Sequence, residues 1–189
     1  MTFSAASSGG IVVRAMAPTE AEERMRGLVA LLIDSVEGGA SIGFHYPLAP
    51  EKAETFWQRW IDEVAAGQRR LLIAEHGETI VGCVMLALPA FENGFNRADV
   101  QKLLVLRSYR RRGIARRLMI GLETLGRDLG RRLLVLDSST DTDGNHFYSA
   151  TGWTHVGDVP DYASLPDGRL HPTSLFYKQL EALQEGATA

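Results

Sequence analysis

The 189-residue chain contains a single cysteine, Cys83, and this scarcity excludes several classes of protein. One cysteine forms no intramolecular disulfide and cannot supply a cysteine-rich metal site. Cys83 lies in an apolar segment, so we expect it in the core rather than as a nucleophile with a partner base. His146 has no second histidine or carboxylate at metal-ligand spacing, and we expect it to be structural or exposed to solvent. The sequence therefore predicts no metal site.

Long apolar runs and a basic overall charge are also lacking. No apolar run approaches the ~20 residues of a membrane span, and the first ten residues lack the basic start and apolar segment of a secretion signal. We therefore expect a cytoplasmic protein with no membrane partner. The formal net charge is −3, whereas proteins that coat nucleic acid usually carry an excess of basic residues.

The length and composition predict one domain, with 45% hydrophobic and 23% charged residues. We place this domain at residues 11–180, after a flexible N-terminus at 1–10 and before a C-terminal tail at 181–189. The sequence pattern predicts an α/β chain without repeats. The predicted elements are a strand at 11–15, a helix from a Thr19–Glu22 capping box to Val36, a loop at 40–48, a helix from Pro50 to Gly67, a hairpin at 71–88, an extended run at 96–106, a helix at 118–129, a strand at 133–137, a short helix at 145–150, and strands near 153–159 and 173–179.

Positive charge is concentrated in RSYRRRGIARR, from Arg107 to Arg117, which has six arginines in eleven residues. Outside this stretch the chain has fourteen basic and 23 acidic residues, which is a net charge of −9. A turn from a strand into a helix exposes backbone N–H groups and adds the positive end of the helix dipole, which suits phosphate. Gly113 permits close approach of the backbone, and Ala115 is small. The sequence lacks both G-x-x-x-x-G-K-[ST] and an early G-x-G-x-x-G.

Two motifs carry a resemblance to a known family. Arg110-x-x-Gly113-x-Ala115, after a strand ending in LLV, resembles the acyl-CoA pyrophosphate loop of the GCN5-related N-acetyltransferases (GNAT). NHFYSATGW, from Asn145 to Trp153, resembles the second signature of that family. The resemblance covers roughly residues 11–180. It implies a single mixed, mostly antiparallel sheet with a central parallel βαβ unit, flanked by helices, and direct acetyl transfer from acetyl-CoA to an amine.

The resemblance also implies roles for individual residues in acetyl-CoA binding. Leu103 N–H is the best oxyanion donor, next to a bulge in its strand, and Tyr148 is the acid that protonates the thiolate. Arg111 and Ala115 stand at positions where glycine is frequent in the family. We expect Arg111 to disfavour a positive φ at its position. The implied cofactor-binding residues are Leu104, Val105, Arg110, Arg111, Arg112, Gly113, Ile114, Ala115, Arg116, Asn145 and Tyr148.

Two carboxylates are candidates for the general base that must produce a neutral amine. Asp99 matches the position of the base in histone-acetylating members. With a period of two it faces the same side as Gln101, Leu103 and Val105, provided that the bulge falls later. Asp99 lies ~13 Å from Leu103 along the strand, and this distance favours proton transfer from the amine through water. Asp137 ends the next parallel strand, where open α/β sheets place their sites.

Further stretches resemble the tabtoxin-resistance branch of the family, namely GGASIGF, NRADVQK and PDGRLHPT. This branch acetylates a small β-lactam amino-acid toxin, so the resemblance implies a small amine as substrate, with a toxin of this kind as the example. Protein or peptide N-acetylation and a non-catalytic acyl-CoA sensor are the alternatives, and a homodimer is left open. We expect no nucleic-acid partner. The candidate substrate-binding residues are Gly39, Ser41, Phe44, Asn96 and Arg97, with Arg97 as the cation for an acceptor carboxylate.

Overall fold

A computed structural model of the chain describes residues 2–3 and 10–181. The strands are β1 (Thr2–Phe3), β2 (Ile11–Ala15), β3 (Arg69–His76), β4 (Thr79–Ala87), β5 (Arg97–Val105), β6 (Leu133–Ser139), β7 (Thr154–Ser164) and β8 (Leu170–Gln179). The helices are α1 (Ala21–Glu37), α2 (Pro50–Ala65), α3 (Ile114–Asp128) and α4 (Asp143–Ala150), with short 3-10 turns at Pro18–Glu20, Glu92–Gly94 and Arg107–Tyr109.

Within these described residues, the eight strands form one sheet in the order β1-β2-β3-β4-β5-β6-β8-β7. β5 and β6 are parallel and are connected through α3, whereas the other neighbouring strands are antiparallel. A parallel pair needs a crossover of this kind, and α3 provides it. The predicted mixed sheet with a central parallel βαβ unit is therefore confirmed.

The two faces of the sheet carry separate cores. α3 covers one face, where Val100, Leu118 and Leu134 are buried. α1 and α2 cover the other face with Leu28 and Trp57, whose indole N–H donates to the Leu28 carbonyl over 2.8 Å. β3 and β4 are buried along nearly their whole length because both faces of the sheet are covered there.

The largest differences from the sequence prediction concern the start of α3, the last two strands and the cap of α1. α3 begins at Ile114 rather than at residue 118, and β7 and β8 are longer than predicted. The Thr19–Glu22 capping box is wrong. Instead, the Glu20 carboxylate accepts the Ala17 N–H at 2.9 Å, and the turn Pro18–Glu20 leads into α1.

The predicted terminal segments fall mostly outside the described residues. Of the predicted N-terminal segment 1–10, Thr2 and Phe3 pair with β2 opposite Arg14 and Val13. Of the predicted tail 181–189, only Glu181 is described.

Candidate active site

Strands β5 and β6 separate part-way along their length. They pair only at the three positions from Arg97–Leu133 to Asp99–Val135. Beyond these positions β5 continues against β4 as far as Val105, and β6 continues against β8 as far as Ser139. The facing edges therefore border an open cleft, in which an extended ligand could bind the backbone as a neighbouring strand would.

The first part of the basic stretch, residues 107–113, forms the loop that follows β5 and leads into α3. Gly113, the residue before the helix, has a φ of 74°, and Arg111 has a φ of 62°. The expectation that Arg111 would disfavour a positive φ is therefore wrong. Left-handed residues at alternate positions turn successive N–H groups toward one side and form a concavity that binds anions.

The backbone N–H groups of this loop are available for a ligand. The first hydrogen bond of α3 runs from the Arg117 N–H to the Gly113 carbonyl, at 3.1 Å. Among the described residues, no backbone hydrogen bond is donated by the N–H groups of residues 111–116. The N-terminal end of the helix dipole adds positive potential at the same place. These features together fit a pyrophosphate group.

The six arginines of the basic stretch divide into two groups. Arg107 bonds Asp34 at 2.8 Å and Glu37 at 3.2 Å, and Arg117 donates to a backbone carbonyl of β2 at 2.7 Å. These two side chains hold the loop and α3 to the rest of the fold. The remaining four are exposed and form no ion pair within the described chain: Arg110, Arg111, Arg112 and Arg116.

A β-bulge in β5 determines which side chains face the site. Lys102 and Leu103 together stand opposite the single residue Val84 of β4, and Lys102 has a φ of 52°. Val100, before the bulge, packs in the core under α3, and Leu103, the second residue of the bulge, packs there as well. Because an extra residue reverses the alternation, Asp99 lies on the opposite face from Leu103. The predicted common face for Asp99 and Leu103 is therefore wrong, since the bulge falls between them.

The bulge directs Lys102 toward α2. Its ammonium lies 5.6 Å from the ring centroid of Phe56 and 5.3 Å from that of Trp60, within the range of cation–π contacts. Burial lowers the pKa of Lys102 from its usual value, although the negative charge of Asp137 opposes this effect. Lys102 is thus a partly desolvated cation near a carboxylate.

A cavity of about 290 Å³ lies on this face of the sheet. Lys102 and Asp137 contribute its two charged side chains. The other lining residues come from the segment between α1 and α2 and from the end of β7: Ser41, Ile42, Gly43, Phe44, His45, Ala163 and Ser164. Its size and polar lining suit a small ligand.

Three hydrogen bonds hold the segment between α1 and α2 over the β7–β8 hairpin. The Ser41 hydroxyl donates to the Ser164 carbonyl at 2.9 Å, and a ring nitrogen of His45 lies 2.7 Å from the Ser164 hydroxyl. The Tyr46 N–H donates to the Pro166 carbonyl at 3.0 Å. These bonds fix the wall of the cavity in place.

The two candidate bases differ in environment. Asp137 is exposed and lines the cavity, whereas Asp99 is half-buried and is joined to Arg97 by an ion pair of 3.5 Å. Burial raises the pKa of Asp99, while Arg97 and Arg69 act in the opposite direction and the charge of Asp137 raises it further. The two carboxylates are thus close enough to interact, and a raised pKa brings Asp99 closer to the range of a useful base.

Tyr148 and Asn145 lie on α4, beside the cleft. The Tyr148 ring is buried, with its centroid 5.7 Å from those of Trp153 and Phe176. Burial, together with the charge of Asp137, raises the pKa of Tyr148, so its hydroxyl stays protonated at neutral pH. The side-chain amide of Asn145 donates to the Ser174 hydroxyl at 2.6 Å, which orients it.

With this geometry established, comparison with known proteins decides the family. The model of the acetyltransferase (GNAT) family matches residues 24–153, which is more than half of the chain. The chain belongs to the GNAT family of acetyltransferases. Enzymes of this family use acetyl-CoA as the acetyl donor, and the loop of free N–H groups fits its pyrophosphate.

Solved structures of other acetyltransferases share the fold over nearly the whole chain. An N-acetyltransferase from Staphylococcus aureus is 13% identical with a TM-score of 0.76, over 90% of this chain and 99% of that one. yncA from Salmonella typhimurium, solved with its cofactor acetyl-CoA, is 13% identical with a TM-score of 0.73, over 96% and 100%. A ribosomal-protein-alanine N-acetyltransferase from Brucella melitensis is 18% identical with a TM-score of 0.74, over 89% and 99%.

The structure brings some of the predicted acceptor residues of this GNAT chain together and separates others. Ser41 and Phe44 line the cavity, whereas Gly39, Asn96 and Arg97 do not. The Asn96 carbonyl instead accepts N–H groups at the start of β6, at the paired end of the cleft. The sequence reasoning missed Lys102, because strict alternation assigns it to the other face of β5.

Other predicted residues of this GNAT chain lie in the core or at the surface. The side chains of Leu104 and Ile114 are buried, so only their backbone groups can contact a ligand. Cys83 is buried, and burial raises its pKa to about 12. In the described segments, no cluster of three or more His, Cys, Asp or Glu could hold a metal ion. The helices there are also too short or too polar to span a bilayer.

Proposed function

We propose that this GNAT chain transfers an acetyl group from acetyl-CoA directly to a small amine bound in the cavity beside Lys102 and Asp137. The observation that carries the proposal is the open cleft between β5 and β6. The loop of free N–H groups follows β5, and Lys102 of β5 and Asp137 of β6 line the charged cavity. A cleft of this kind holds the donor and the acceptor together, which lowers the entropic part of the barrier.

The donor is held mainly by backbone groups. Loop residues 111–116 bind the pyrophosphate, with charge-assisted contacts from Arg110 and Arg112. Val105 and neighbouring groups of β5 pair with the extended arm, and Asn145 contacts it from α4. Acetyl-CoA supplies an acetyl group activated as a thioester. The Leu103 N–H, beside the bulge, polarises the acetyl carbonyl.

The acceptor must lose a proton before it can attack, because an ammonium has no lone pair and alkylamines near pKa 10 are mostly protonated at pH 7. Asp137, in the cavity wall, and Asp99, whose pKa is raised by burial, are the two candidates for this step. We assign the Tyr148 hydroxyl, which burial keeps protonated, to the departing thiolate, as the hydrogen-bond donor that stabilises its charge.

The small tethered cavity favours a small molecule over a peptide. Its volume is about 290 Å³, and hydrogen bonds from Ser41 and Tyr46 fix one wall. A β-lactam amino-acid toxin of the tabtoxin type is one such acceptor, and Gly39, Asn96 and Arg97 remain proposed contributors at the edge of the site. Protein or peptide N-acetylation is the alternative, and the Brucella melitensis structure is that of a ribosomal-protein-alanine N-acetyltransferase.

The test is a thiol-release assay with acetyl-CoA and a panel of amino acids, the β-lactam toxin, polyamines, aminoglycosides and N-terminal peptides. We expect turnover with small amines, and a loss of kcat of ~10²–10⁴-fold in the variant that lacks the true base, either Asp99→Asn or Asp137→Asn. The loss should shrink at high pH, where more amine is already neutral. Turnover of peptides alone would favour the alternative, and full activity in both variants would exclude these carboxylates as bases.

Acetyl-CoA binding is measured separately by calorimetry. One site per chain is expected. Binding of acetyl-CoA without turnover of any acceptor would instead indicate a non-catalytic sensor. Failure to bind acetyl-CoA would refute the proposed function itself.

A further inference from the structure

The cavity contains two opposite charges that are not joined to each other. Lys102 and Asp137 both line it, and the charge of Asp137 acts on the pKa of Lys102. Within the part of the chain that the structure describes, however, no ion pair joins the two side chains. Opposite charges that share a small cavity without contact leave room for a ligand between them.

Lys102 differs from the other cations on this face of the sheet. Arg69 is paired with Glu63 and Arg97 with Asp99, so the charge of each guanidinium is already balanced. The Lys102 ammonium lies against the rings of Phe56 and Trp60 and forms no ion pair within the described chain. A partly buried cation without a carboxylate partner is costly, and an anionic ligand would offset that cost.

We propose that Lys102 and Asp137 bind the two charged ends of a zwitterionic acceptor, with its carboxylate on Lys102 and its ammonium on Asp137. The acceptor class is thus a free amino acid or a close analogue, and Lys102 is the residue that selects it. This inference rests on the proposed acetyl transfer.

The position of Lys102 in the chain supports this orientation. Lys102 immediately precedes Leu103, whose N–H we place at the acetyl carbonyl, and both residues belong to the bulge. A carboxylate on Lys102 therefore places the rest of a short acceptor beside the reacting carbon. An α-amino group lies only two bonds from the carboxylate carbon, so the two contacts suit a compact molecule in this volume.

The experiment compares Lys102→Met and Lys102→Arg with the unmodified chain. Methionine keeps an unbranched stem against Phe56 and Trp60 but removes the charge, whereas arginine keeps the charge. Arg26→Met is the matched control, because Arg26 is exposed on α1 and lies outside the site. The acceptors are free α-amino acids and the corresponding α-carboxamides, which keep the amine and lose the carboxylate charge.

We expect Lys102→Met to lower kcat/KM for the amino acids by about 10–100-fold, mainly through KM, because a charged hydrogen bond is lost. Activity with the carboxamides and the Kd of acetyl-CoA should change less than about threefold, within ordinary context dependence. Lys102→Arg should recover much of the amino-acid activity. Arg26→Met should behave as the unmodified chain does.

Two results would overturn the inference while the proposed function stands. One is equal loss of amino-acid and carboxamide activity in Lys102→Met, with acetyl-CoA binding retained. The other is selective loss of amino-acid activity in Arg97→Ala but not in Lys102→Met, which would assign the carboxylate to Arg97. Absence of acetyl-CoA binding in the unmodified chain would refute the proposed function, and this inference with it.

Discussion

Gly113→Ala tests whether the loop before α3 binds the pyrophosphate of acetyl-CoA, and the same helix provides its control. Gly113 has a φ of 74° before α3, and Gly130 has a φ of 71° just after it. A Cβ added at either glycine meets no atom within 4 Å. The two substitutions therefore place an alanine at a similar positive φ without a steric clash.

The magnitudes follow from that comparison. A non-glycine residue in the left-handed region costs roughly 1–2 kcal/mol, and the smaller entropy of the unfolded chain offsets part of it, about 0.4–1 kcal/mol. We expect each variant to lose about 1 kcal/mol of unfolding free energy, or ~2–4 °C in Tm for a chain of this size. Urea or thermal denaturation measures this loss.

Binding of acetyl-CoA should separate the two variants. Only at Gly113 does the added Cβ lie among the free N–H groups of residues 111–116. Loss of one hydrogen bond to a charged phosphate, ~1.5–3 kcal/mol, raises Kd by about 10–100-fold. Gly130→Ala should leave Kd unchanged. Equal Kd values for the two variants in calorimetry, at equal stability, would refute the assignment of this loop.

Three further predictions concern side chains. Arg110→Ala and Arg112→Ala should each raise the Kd of acetyl-CoA about tenfold. Arg26→Ala should not, because Arg26 is exposed on α1, and equal effects of the three substitutions would contradict the assignment. Because burial raises the pKa of Asp99, the folded state holds that proton more tightly than the unfolded chain, so its contribution to stability falls as pH rises from about 4. Asp99→Asn should therefore raise Tm more at pH 7 than at pH 4. A Tm of the variant below that of the unmodified chain at pH 7 would contradict the burial argument. The buried Cys83 thiol, with its pKa raised to about 12, should react with iodoacetamide no faster than the chain unfolds.

The sequence predicted the local features well because local chemistry determines them. The strand–turn–helix order and Gly113 located the loop that could bind phosphate. The sequence pattern likewise located α2, which begins at Pro50 as predicted. Such signals depend on neighbours within a few residues, and the printed sequence contains them all.

The sequence could not predict which arginines remain free for a ligand. All six arginines of the basic stretch have the same chemistry. What distinguishes them is whether the fold brings a carboxylate or a carbonyl from elsewhere in the chain within hydrogen-bond distance. Arg107 is held by α1 and Arg117 by β2, contacts that span 73 and 106 residues of sequence. Partners so far apart in the chain are defined only when the sheet has formed.

By itself, the sequence determined the order of the elements, the GNAT motifs and the types of residue that supply charge. The tertiary structure decided the faces on which those charges lie. One bulge at Lys102 and Leu103, opposite Val84, put Lys102 on the cavity side and separated Asp99 from Leu103. Alternation along a strand has a period of two, so a single extra residue reverses the face of every residue after it, and the location of that residue depends on the pairing with β4.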